Sequence, residues 1–166
     1  MPDSTYQLAQ VNVARLLASL DSPLLAGFVS ALEPINALAD ASAGFVWRLQ
    51  TPDGDATSIR AFEDDMIIVN MSVWQSLDAL ADFVYRSPHV QVMRDRKQWF
   101  EHMREAYMTL WWIRAGHIPT VDEAKERLEH LRAHGPTAYA FTFKRPFGPR
   151  QAEMVPPARD AWLCPA

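Results

Sequence analysis

Residues 6–13 alternate between two sides of an extended chain. Ala9, Val11 and Val13 fall on one side and Tyr6, Leu8, Gln10 and Asn12 on the other, and this period of two predicts a strand. Asp21-Ser22-Pro23 then supplies a helix start, a capping side chain followed by proline at the first helical position. Leu25, Phe28 and Leu32 follow at helical spacing, and Pro34 is expected to kink or split the helix before Ile35 and Leu38 extend its stripe. Gly44 opens a second strand over 45–50, Pro52-Asp53-Gly54 turns the chain, and 56–62 is expected to return extended.

The densest run of β-branched residues lies over 66–74 and predicts the strongest strand. Its alternation puts Ile67, Val69, Met71 and Val73 on one face and Ile68, Asn70, Ser72 and Trp74 on the other. Ser76 caps a helix carrying Leu77, Leu80 and Val84, and Ser87-Pro88 interrupts it, because the residue before proline is pushed out of the helical region. A further helix is expected over 88–102, with Val92, Arg96, Trp99 and Met103 along one side. Residues 107–113 form the next strand, whose Trp111-Trp112 pair sends one indole to each face. Thr120-Val121-Asp122-Glu123 fits a capping box at the start of the last helix, which Gly135-Pro136 stops. Residues 141–143 offer one more short strand, and 148–166, rich in proline and alanine, reads as a flexible tail beyond a domain of 1–147.

Strands mixed with helices over short connections make this an α+β chain, with an antiparallel sheet of ferredoxin-like order and helices on one face. Such a sheet leaves its other face bare, and covering that apolar area leads to the expectation of a homodimer packed sheet to sheet. At 166 residues the chain is long enough for one core and short for two.

Charge and composition narrow the partners. A net charge of −4 counts against general affinity for nucleic acid or an anionic membrane. No apolar run approaches the ~20 residues that span a bilayer, so a cytoplasmic protein is expected. Cys164 is the single cysteine, which leaves neither an internal disulfide nor a cysteine zinc site.

The polar positions of the 66–74 strand carry the most chemistry. Asn70 and Ser72 lie mid-strand with Trp74 on the same face, and Gln10 and Asn12 project from the first strand, which adjoins it in this order. Four polar groups with an aromatic wall suit a small-molecule pocket; the alternative is that Asn70 satisfies a loop and Trp74 is core. His89 opens a helix and His117 lies in the loop after the Trp111-Trp112 strand; either can serve as a general base or as an axial haem ligand. Arg94 can neutralise an oxyanion, or belong with Arg96 and Lys97 to a solvated basic face. His130 and His134, four apart on the last helix, lack a third ligand nearby. No phosphate loop, G-x-S-x-G or H-E-x-x-H motif is present, so nucleotide, α/β-hydrolase and zincin chemistries lack support.

Segments YQLAQVN (6–12), FVWRL (45–49), VNMSVW (69–74), Trp111-Trp112, AGHIPT (115–120), the helix end 127–135 and Phe141-Thr142-Phe143 resemble an uncharacterised bacterial family of the dimeric α+β barrel superfamily. That family is related to the antibiotic biosynthesis monooxygenases. The resemblance implies oxidation of a small aromatic or enolisable compound by oxygen without a cofactor. The better-understood relatives place an asparagine and a tryptophan four residues apart on one strand, matched here by Asn70 and Trp74. By that likeness Asn70 binds a developing oxyanion, Trp74 stacks on the substrate ring, and Arg94 or His89 holds or deprotonates it. Gln10, Asn12, Ser72 and His117 are expected around the substrate. The relatives' tyrosine has no match on the helix directly after Trp74 until Tyr85. Haem held by His89 or His117, or a dimer that only sequesters a small ligand, are the alternatives.

Overall fold

The structure, a computed structural model, describes residues 4–153. Four strands form one antiparallel sheet in the order β2-β3-β1-β4, with β1 Tyr6–Arg15, β2 Phe45–Arg48, β3 Ile67–Trp74 and β4 Met108–Arg114. This is the ferredoxin-like order, and the fold is α+β. Between β1 and β2 runs α1 (Ala26–Asp40), entered through a 3₁₀ turn at Pro23–Leu25 that Ser22 caps through its hydroxyl. Between β3 and β4 lie α2 (Leu77–Arg86) and α3 (His89–Asp95). After β4 come α4 (Val121–His134) and a short α5 (Pro149–Glu153).

The alternation read from the sequence sorts residues correctly between the sheet's faces. On one face Leu8, Trp74 and Leu110 pack with Leu80 of α2 and Ala39 of α1. Further along the same face, Leu16 and Ile68 pack with Phe28 of α1, Val92 of α3 and Trp99. The opposite face carries Val11, Val13, Val69, Met71, Val73 and Trp111, all buried. It is not bare. Helix α4 lies over it through Ala124 and Leu128, and Leu49, Ile59 and Phe62 of the 49–66 connection pack beside them. Burial of this face is therefore achieved within one chain, and the uncovered area from which a sheet-to-sheet homodimer was expected is absent.

Other departures have local causes. Pro34 lies inside an unbroken α1, on its exposed side, where water can serve the carbonyl that loses its donor. Residues 56–62 form no strand, since the Asp55 carboxylate accepts from both the Thr57 N–H (2.9 Å) and its hydroxyl (2.6 Å), turning the chain. The helix expected to reach residue 102 stops early, at Asp95 and a 3₁₀ turn to Gln98, because the next residues pair with the end of β1. Leu17 N–H donates to Trp99 O at 2.8 Å and Glu101 N–H to Arg15 O at 2.9 Å. Gly44, with φ of +80°, holds a position where a Cβ would come within 2.5 Å of the Ala79 Cβ, so α2 can press directly on the start of β2. The tail expected over 148–166 includes α5 as far as Glu153, and 154–166, with Cys164, lies outside the described residues.

Candidate functional site

Gln10, Asn12, Asn70 and Ser72 come together as a polar belt across β1 and β3. Register makes it: Gln10 lies opposite Ser72, and Asn12 opposite Asn70, on the face that α1, α2 and α3 cover. The belt separates the apolar cluster around Leu8 and Trp74 from that around Leu16 and Ile68.

Its hydrogen bonds run in one chain. The Trp74 indole N–H donates to Ser72 Oγ at 2.8 Å, and the Gln10 amide donates to Ser72 Oγ and to Asn70 Oδ1, each at 2.9 Å. Gln10 is 8% exposed and Trp74 fully buried, so these bonds satisfy groups that would otherwise cost about 1–3 kcal/mol each. With its oxygen turned to Gln10, Asn70 presents its Nδ2 donors outward, and Asn70 is exposed. The half-buried Asn12 amide makes no hydrogen bond to any described residue. Two neighbouring amides thus keep hydrogen-bonding groups without a partner among the described residues, between two apolar clusters.

Trp74 is placed otherwise than expected. Its indole does not line an open pocket: Phe83 of α2 stacks on it, with ring centres 5.1 Å apart and planes 26° apart, and Phe45 meets its edge at 5.4 Å. Stacking of Trp74 on a substrate ring is closed off by Phe83, which the helical pattern of α2 turns inward beside Leu80.

His89 continues this aromatic row, 4.8 Å from the Phe83 ring. Ser87 builds its position at the α2–α3 junction by donating its hydroxyl to Phe83 O and accepting the His89 N–H at 3.1 Å. His89 Nδ1 faces Val84 O at 3.4 Å; a carbonyl only accepts, so the proton sits on Nδ1 and Nε2 is the basic atom. Burial holds the His89 pKa below the ordinary imidazole value, keeping it neutral at pH 7.

Arg94 and His117 do not join the belt. Arg94 is exposed on α3 and forms no ion pair with any described residue. His117 belongs to the opposite face, where its Nε2 lies 2.8 Å from Glu123 Oε2, while Glu123 Oε1 accepts the Trp111 indole N–H at 3.2 Å. The capping box is half formed in consequence. Thr120 Oγ1 accepts Glu123 N–H at 3.1 Å, but the Glu123 carboxylate turns to His117 and Trp111.

The His89 ring packs against Phe83. A narrow apolar cleft on the opposite face is lined by Phe62, Val121 and Lys125, and a shallow hollow runs along Asp78, Asp82 and Tyr85. Among the described residues no group of three or more His, Cys, Asp or Glu side chains can hold a metal ion, and no helix is long and apolar enough to cross a membrane.

Phe83 is what the sequence reading missed. Phe83, three residues beyond Leu80 on the stripe of α2, was the available signal.

Comparison with known proteins places the chain by family. Residues 7–157 match a family described as a domain of unknown function, DUF3291. The chain belongs to that family. The match runs past residue 147 and so includes part of what reads from sequence as a tail. Among solved structures, the DUF3291 chain is similar to a protein of unknown function from Nitrosomonas europaea at 11% identity and a TM-score of 0.42, over 71% of this chain and 99% of that one. It is also similar to a protein from Pseudomonas aeruginosa at 13% identity and a TM-score of 0.38, over 72% and 99%. No curated protein matches it.

Proposed function

We propose that this DUF3291 protein binds a small aromatic or enolisable compound at the polar belt and oxidises it without a cofactor, in the manner of the monooxygenases its sequence resembles. The observation that supports this most is the outward-facing Asn70 amide, held by Gln10 beside the unpartnered Asn12. An amide N–H fixed in this way is a donor for an enolate or phenolate oxygen. His89, neutral and basic at Nε2, is the base that takes the proton. Dioxygen is the oxidant: the CH₂ of a diketone becomes a further carbonyl, or a phenol gives up its O–H and one ring C–H hydrogen and becomes a quinone, one oxygen atom in each case entering the product and the other leaving as water. Trp74 acts here through its indole N–H, which anchors Ser72 and with it Gln10, and Arg94 has no part.

The test is oxygen uptake by the full chain against a panel of phenols and cyclic 1,3-diketones, with binding followed in parallel. Asn70→Ala is expected to abolish uptake and weaken binding at least tenfold. Binding without oxygen consumption by any accepted compound would leave a sequestering protein and overturn the oxidation.

A further inference from the structure

The Thr137 hydroxyl leaves no room for a charge on His130. Thr137 Oγ1 accepts the backbone N–H groups of Tyr139 at 3.2 Å and Ala140 at 3.4 Å, which uses both of its lone pairs. Its own proton remains for the 3.2 Å contact with His130 Nε2. Nε2 is therefore the acceptor and the imidazole is neutral. A proton on Nε2 would set N–H against O–H.

The surroundings add to this. On α4, His130 meets His134, with ring centres 4.6 Å apart, and Arg127, with Glu126 opposing them. From the chain after α4 it meets Tyr139 edge-on at 4.7 Å, and Tyr139 also carries the Arg127 guanidinium 3.7 Å from its centroid. Burial first, and then the His134 and Arg127 charges, hold the His130 pKa below its ordinary value.

What the Thr137 turn controls is a strap. Phe141 exchanges both backbone hydrogen bonds with Leu110 of β4, at 2.8 and 2.9 Å, and the Trp112 indole donates to Phe147 O at 2.7 Å. Phe141, Phe143 and Phe147 pack on the Leu8 and Trp74 cluster, the same sheet face that carries the polar belt.

We propose that His130 is an acid-sensitive latch, whose protonation breaks the Thr137 turn and loosens the 137–147 strap from the edge of β4. With the strap closed the imidazole refuses its proton; with the strap open it accepts it. Closure is then fully stable above the ordinary imidazole value, about 6.5, and weakens as pH falls from there toward the lower value of the closed form. This inference does not rest on the proposed oxidation.

Hydrogen–deuterium exchange of the Tyr139, Ala140 and Phe141 amides, at pH 7.5 and 5.0 and corrected for the intrinsic rate, tests it on the full chain. The opening constant is expected to rise up to tenfold for each unit by which His130 titrates below an imidazole in an unfolded chain. His130→Gln, whose amide oxygen can accept from Thr137 and which does not titrate, is expected to keep protection at both pH values. Equal protection of the wild type at both pH values, or the same acid loss in the variant, overturns the latch. NMR titration of His130 in the wild type decides independently of how the variant folds, and a His130 pKa at or above 6.5 overturns the latch as well.

Discussion

Phe83 lies on the Trp74 indole in the place a substrate ring would take, 5.1 Å between ring centres and 26° from parallel. The contact welds α2 to the end of β3 and gives His89 its neighbour. Phe83→Ala is expected to destabilise the fold by about 2–3 kcal/mol, below the roughly 3–5 kcal/mol of fully buried phenylalanines because Phe83 is only half-buried. Urea unfolding measures the loss, and a red-shifted tryptophan emission would report the uncovered indole.

Removing the middle of the belt should hurt more than removing its end. Ser72→Ala leaves the Trp74 N–H and one Gln10 N–H without an acceptor in a buried place, an expected cost of about 1–3 kcal/mol. Asn70→Ala removes an exposed side chain and should cost less than about 1 kcal/mol while cutting ligand binding. The two denaturation curves side by side check the order; an Asn70→Ala loss equal to that of Ser72→Ala would mean Asn70 is structural.

Stability should fall on mild acidification. Burial depresses the pKa of His89, so the unfolded chain takes up a proton near pH 6.5 that the folded chain refuses. The His89 contribution is complete above that value and is lost as pH drops below it. His89→Gln is expected to reduce the decline in unfolding free energy between pH 7 and 5, although His130 contributes a slope of the same sign. An unchanged slope would show that His89 is not held neutral.

Gly44 is required both by its backbone and by its neighbour. Gly44→Ala should cost about 1–3 kcal/mol from the +80° φ alone, with the 2.5 Å approach to the Ala79 Cβ added. Thermal melting checks it, and a loss below 1 kcal/mol would mean that α2 can draw back from β2 freely.

Local sequence determined the four strands of the sheet and most helix starts, because these are set by short-range chemistry. The alternation of 6–13 and 66–74 placed Gln10, Asn12, Asn70 and Ser72 on one face, and Ser22, Ser76 and Thr120 cap the starts they marked. Local periodicity does not carry what came next. That α4 covers the second face depends on where the chain goes after β4, and so does the removal of the bare surface that pointed to a dimer. Trp99 leaves its helical pattern because Leu17, just past the end of β1 and 82 residues earlier in the chain, offers it a backbone partner. Phe83 fills the space against Trp74 and Glu123 abandons the capping box for His117 and Trp111; these partners are near in sequence, but turns of the chain bring them together. In each case a partner supplied by the tertiary fold competes with the local preference, and burial of apolar area or of a hydrogen bond outweighs about 1 kcal/mol of propensity.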